Sequence, residues 1–148
     1  MPLDRILRGV IAGLAGGILI DLFLLIVLVG LLHATSVSGF YAFVASAALG
    51  KQAYLVPAAV PLGIALHVAI SVGWGIGYAY LAATTPQVRA RPLLSGSVFG
   101  IVVMLAMQLV EVAANVYRLP TFASQAVSAV AHVLFFGIPV AYVVRRLE

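Results

Sequence analysis

Four side chains able to hold a metal ion or pass a proton stand inside stretches that are otherwise hydrocarbon: Asp21, His67, Glu111 and His132. Each belongs to a different apolar stretch. A charged group at the centre of a bilayer costs ~2.5 kcal/mol or more unless it is paired or neutralised. Such residues therefore call for an explanation, and three chemistries fit these types. Imidazoles are common ligands of metals and of haem iron, so His67 and His132 are candidate cofactor ligands, holding one b-type haem from its two faces. With Asp21 and Glu111 they could instead surround a single metal ion, as side chains in bundle cores do. Histidine and acid chains at mid-membrane also serve as proton or small-solute relays. The third possibility is a clamp, in which His–Asp and His–Glu pairs fix how the helices sit against one another.

Spacing adds further polar groups to these four. Residues three or four apart share a helix face. His67 shares one with Ser71, Gln108 and Glu111 share one with Asn115, and Gln125 and Ser128 share one with His132. Together with Asp21 they form a candidate polar core layer, one face from each helix, directed away from lipid. At 1.5 Å per residue, Asp21, His67 and His132 fall near mid-membrane, with Gln108 and Glu111 slightly nearer the outer side. Small residues mark helix-packing faces in the same way: Gly9, Gly13 and Gly17 in the first stretch, Gly63 and Gly75 in the second, Gly96 and Gly100 in the third. Enzyme signatures are absent. The chain has no phosphate loop, nucleophile constellation or zinc motif, and Ser38, Ser71 and Ser128 read as cap and packing residues. The Glu-x-x-His pairing of di-iron bundles is missing, since each His lies on a different helix from each acid. With no cysteine, thiolate sites, disulfides and Cys-attached haem are excluded.

The elements that carry these residues follow from composition. Of 148 residues, 64% are hydrophobic and only 8% charged, with a mean hydropathy of +1.20. Soluble domains are nearer half apolar and a quarter charged, so lipid is the expected solvent and the bilayer the first partner. A span needs roughly 20 apolar residues in a helix. Four stretches qualify, at 6–32, 58–83, 93–117 and 122–144, which predicts an all-α integral membrane protein with one four-helix domain. The first run exceeds the roughly 7–15-residue core of a signal peptide and holds an acid, which favours a retained span. Between the first two spans, 38–51 reads as a short helix (about 39–49), started by Ser38 and ended by Gly50, interfacial or re-entrant on the outer side. The connection "TTPQVRARP" reads as a turn, and "RLPT" is short enough to make the last two spans antiparallel neighbours.

The net charge of +4 comes from cations at the span ends, a topology pattern rather than a nucleic-acid surface, and no nucleic-acid partner is expected. Arg5, Arg8, Arg89, Arg91, Arg145 and Arg146 lie on one side, against Lys51 and Arg118 on the other. The positive-inside rule then puts both termini in the cytoplasm. Tyr78, Tyr80, Tyr117 and Tyr142 fall near span ends, as interfacial aromatics do, and Trp74, Phe135 and Phe136 suit lipid-facing bulk. The chain also reads as an internal repeat. Gly9, Gly13, Gly17 and Asp21 are matched 87 residues further on by Gly96, Gly100, Met104 and Gln108. The "HV" pairs at His67 and His132 match in the second and fourth spans. Two parallel hairpins related by an axis along the membrane normal would result.

The glycine-rich first span, "LHVAISVGWGIGYAY", "RPLLSGSVFG" and "AHVLFFGIPVAYVVRRL" resemble small bacterial four-span inner-membrane proteins, the YagU-like and related uncharacterised families. The resemblance covers nearly the whole chain. It implies a bacterial-type cytoplasmic membrane and a four-helix fold, and it assigns no residue a role. The leading expectation is an accessory or assembly component of a membrane complex or a homo-oligomer, with its polar layer as a clamp. Haem or metal binding and proton or solute movement are the alternatives.

Overall fold

The computed structural model describes residues 2–147, and every regular element within them is helical. Helix α1 (Pro2–Leu24) runs on into wide π-helical turns at Leu25–Leu31. Helix α2 (Val37–Leu49) and a 3-10 turn (Gly50–Tyr54) lead to α3 (Ala59–Thr84). A short α4 (Pro86–Ala90) occupies what reads as a plain turn in the sequence, because Pro86 suits a first helical turn. Helix α5 (Pro92–Ala113) follows. The last rod joins α6 (Phe122–Val130), π-helical turns at Ala131–Gly137 and α7 (Ile138–Arg146). Four rods are long and apolar enough to cross a membrane: Asp4–Leu31, Ala59–Thr84, Pro92–Ala113 and Phe122–Arg146. The predicted boundaries agree to within a few residues except at the end of the third span. That helix stops at Ala113, where Asn115 takes a left-handed conformation (φ 56°) that breaks it.

Local chemistry accounts for the other ends. The Ser36 hydroxyl, rather than Ser38, caps α2 by accepting the Gly39 N–H at 3.0 Å, and Ser38 bonds to Ser36. Gly50 closes that helix at φ +56°, a region open to glycine. Thr121 caps α6 by accepting the Ser124 N–H. Within the fourth rod, Pro139 has no N–H to donate and its ring crowds the carbonyl one turn earlier. The helix widens just ahead of it, over Ala131–Gly137, which is how a helix absorbs such a defect without breaking.

Glycine sets the closest contacts. Gly75 of α3 sits between Gly9 and Gly13 of α1, where a Cβ would overlap their backbone. Gly137 sits in the same way between Gly96 and Gly100 of α5. The first rod packs mainly along α3 and also along the fourth rod, α5 packs along the fourth rod, and α2 lies along α3. Aromatics fill the remaining core. Phe99 meets Trp74, Tyr78 and Phe136, and Phe23 stacks on Phe135 at 4.2 Å. Trp74, Phe135 and Phe136 are thus core-packing groups rather than lipid-facing bulk. Tyr78, expected at the interface, is buried and shares a 2.7 Å hydrogen bond with Ser95, which draws it inward. The exterior is apolar, with Leu7, Ile18, Leu105, Leu109 and Leu134 exposed.

Candidate functional site

The candidate polar layer divides into two groups. In the first, α1 carries Asp21 two turns beyond Gly13, facing α3. His67 Nδ1 lies 3.1 Å from Asp21 Oδ1, with only 18% of the His and 20% of the Asp side chain exposed. This is an ion-pair distance rather than an aligned hydrogen bond, and Oδ1 is buried with no hydrogen-bond partner. The other oxygen, Oδ2, accepts the Tyr41 hydroxyl of α2 at 3.3 Å. Phe40, the residue before, sets its ring edge-on to His67. The backbone of α2 comes this close because Gly63 leaves room for the Tyr41 carbonyl. Burial first, and then the charge and hydrogen bonding of Asp21, hold the Tyr41 phenol above its ordinary value of 10.0. Ser71, a turn from His67, is buried against Gly17.

In the second group, Gln108 Nε2 donates to Gln125 Oε1 at 3.0 Å, tying α5 to α6. Among the described residues, His132 is paired with no acid. Its Nδ1 lies 2.8 Å from the carbonyl oxygen of Ser128 on its own helix. A carbonyl can only accept, so Nδ1 carries the hydrogen and Nε2 is left as an acceptor. The Ser128 hydroxyl stands 3.5 Å from the same nitrogen. The Glu111 carbonyl accepts the N–H groups of Val116 and Tyr117, while its carboxyl group has no hydrogen-bond or ion-pair partner among the described residues. Asn115 lies past the end of α5 and is exposed, outside the layer.

Two adjoining cavities connect the groups. An inner one of about 150 Å³ is lined by His67, Ser71, Trp74, Glu111, His132 and Phe136, among others. An outer one of about 280 Å³ is lined by Gln108, Glu111, Arg118, Gln125, Ser128 and His132, among others. Glu111 and His132 belong to both.

The four residues considered as one metal set do not converge. Asp21 and His67 pair with each other, His132 is held by Ser128, and Glu111 stands apart. Among the described residues, no three His, Asp or Glu side chains come close enough to hold one ion. The inner cavity between His67 and His132 is also smaller than the roughly 300–1,000 Å³ of small-molecule sites, so a haem held between the two rings would have to open the bundle. The histidines are not equivalent by helix packing either. Gly13 meets the backbone of Ser71 and Val72, whereas Gly100 meets that of His132 and Val133. His132 therefore takes the position of Ser71, and Ser128 that of His67, one turn from the match the "HV" pairs suggest.

Sequence reasoning did not find Tyr41 or Phe40. Tyr41 lies twenty residues from Asp21 across a loop, and no helical spacing links them. The sequence does carry a signal for the widened turn, in Pro139 inside an apolar span.

These features define a class: an all-helical protein with four helices long and apolar enough to cross a membrane, and a polar-edged cavity between them. The chain belongs to DUF6789, a family of unknown function, with the match spanning residues 3–148. No curated protein and no solved structure matches it.

Proposed function

We propose that this chain is a subunit of a membrane assembly, docking through the outward face of its second span. One observation carries this reading. Ala65, Ala69, Gly73 and Gly77 recur every four residues along α3 and all are exposed. A Cβ at Gly73 or Gly77 would meet nothing within 4 Å, whereas Gly9, Gly13, Gly75, Gly96, Gly100 and Gly137 each have a neighbouring helix pressed against them. Small residues at this spacing let helix backbones approach closely in lipid. The protein uses that contact twice internally, and the outward stripe offers a third, to a helix of a second copy or of another subunit.

The remaining parts of the reading agree with it. The cations cluster on the side of both termini, which favours a cytoplasmic position for them in a bacterial-type cytoplasmic membrane. The two glycine contacts have the same form, with Ile76 four positions after Val72 and Ile138 five positions after Val133. That favours two copies of one hairpin, the extra residue taken up by the widened turn at Ala131–Gly137. The Asp21–His67–Tyr41 group serves as the clamp that fixes the first hairpin and α2.

The test is native electrophoresis of membranes solubilised in mild detergent. The wild-type chain is expected in a species larger than the monomer, and Gly73→Leu with Gly77→Leu is expected to release a folded monomer. A wild-type chain that runs as a monomer, or a double variant that stays assembled, contradicts the reading.

A further inference from the structure

We propose that the two adjoining cavities form one binding site for a small amphipathic cation, a primary amine with a compact apolar body. The site is independent of the outward stripe on α3.

The polar groups at the junction determine the ligand's charge. Glu111 lies two residues before the end of α5 and lines both cavities, its carboxyl group without a hydrogen-bond or ion-pair partner among the described residues. His132, on the facing rod, also lines both, and with Nδ1 bonded to Ser128 its Nε2 is an acceptor. A carboxylate and an imidazole acceptor at one junction suit a group that only donates, and an ammonium brings three donors and a positive charge. The other charged or titratable groups do not oppose this. His67 faces the inner cavity but is engaged by Asp21. Arg118 is exposed at the edge of the outer cavity, and Tyr117 lies beside it.

The walls determine the rest. The inner cavity is lined by Phe40, Phe43, Trp74, Met107 and Phe136, a surface for an apolar body whose rings also attract a nearby cation. The outer cavity carries the amides of Gln108 and Gln125 and gives the ammonium further acceptors. Neither space alone, at about 150 and 280 Å³, reaches the usual size of a small-molecule site, but joined at Glu111 they do.

The chain provides its own reporter. Its single tryptophan, Trp74, lines the inner cavity, and a nitroxide in contact with it quenches its fluorescence. Full-length protein in detergent is titrated with amino-TEMPO, a nitroxide-bearing primary amine, and with its neutral and anionic counterparts, hydroxy-TEMPO and carboxy-TEMPO. Saturable quenching by the amine is expected, at least about tenfold tighter than by the neutral probe, the ratio a charge-assisted hydrogen bond supplies. Glu111→Gln is expected to remove that preference. A measurement on the wild type alone guards against misfolding of the variant: cyclohexylamine, which does not quench, should displace the amine probe and restore fluorescence, and cyclohexanol should not. Equal, unsaturable quenching by amine and alcohol overturns the proposal. Preference for carboxy-TEMPO also overturns it, and moves charge recognition to Arg118.

Discussion

In the first hairpin Gly75 sits between Gly9 and Gly13, and in the second Gly137 sits between Gly96 and Gly100. Beyond these matching contacts the hairpins diverge. Two turns outward, the first has Asp21, which takes up His67 and the hydroxyl of Tyr41. At the corresponding place the second has Gln108, which makes a neutral bond to Gln125. Helix α2 covers the first group. Its Phe40 and Phe43 line the inner cavity, which His67 and Ser71 of the first group border together with Glu111 and His132 of the second; the latter two also border the outer one. Matching backbone packing thus supports two electrostatic arrangements, one built on an acid–histidine contact and one whose carboxylate and imidazole face cavity without pairing to each other.

That contrast can be broken by truncating the two partners in turn. Asp21→Ala strands His67 and Tyr41 in a mostly buried place, and removing one partner of a buried pair costs about 3–5 kcal/mol. With about a fifth of this pair exposed, about 2 kcal/mol is expected. Gln108→Ala removes one interhelical amide bond, worth about 0.6 kcal/mol on average in a membrane protein. Thermal unfolding in detergent should therefore show a clearly larger drop for Asp21→Ala. Equal drops would mean that the first hairpin has no special clamp.

A smaller effect sharpens the role of α2. The Tyr41 phenol has its folded value raised above 10.0, by burial first and then by Asp21. The unfolded chain therefore loses this proton at lower pH than the folded one. Its contribution to stability is full below pH 10 and is lost as pH rises from there through the folded value. Tyr41→Phe should flatten that part of the alkaline decline and leave the neutral and acid sides unchanged, as read from melting temperature against pH. An identical decline in wild type and variant would remove Tyr41 from the clamp.

Much of this architecture is legible in the sequence because lipid imposes length and apolarity on a span, and both can be read along the chain. The glycine faces are legible for the same reason: spacing of four is a property of one helix. What sequence cannot supply is partnership between helices. Asp21 and His67 can be named as candidates, but their pairing depends on rotation about both helix axes. Tyr41 reaches Asp21 only because α2 folds back along α3 over Gly63. The mismatch of the two histidines has another origin. Two shared letters do not report which turn meets the glycines, and the packing match falls one turn from the one the "HV" pairs suggest.

The absence of cysteine from the natural chain allows a direct test of tight packing against openness. Ser71, at the wall of the inner cavity, is 4% exposed and packed against Gly17, whereas Ser128 is partly exposed and lines the outer cavity. Ser71→Cys and Ser128→Cys are near-isosteric single changes, and each protein in detergent is treated with a small cationic methanethiosulfonate reagent. Reaction follows access to the thiolate, so Cys at 128 should react on the order of a hundredfold faster than Cys at 71 in the folded protein, and the two should match once it is unfolded. Comparable rates in the folded protein, or faster reaction at 71, would contradict a tightly packed first hairpin beside a more open second one.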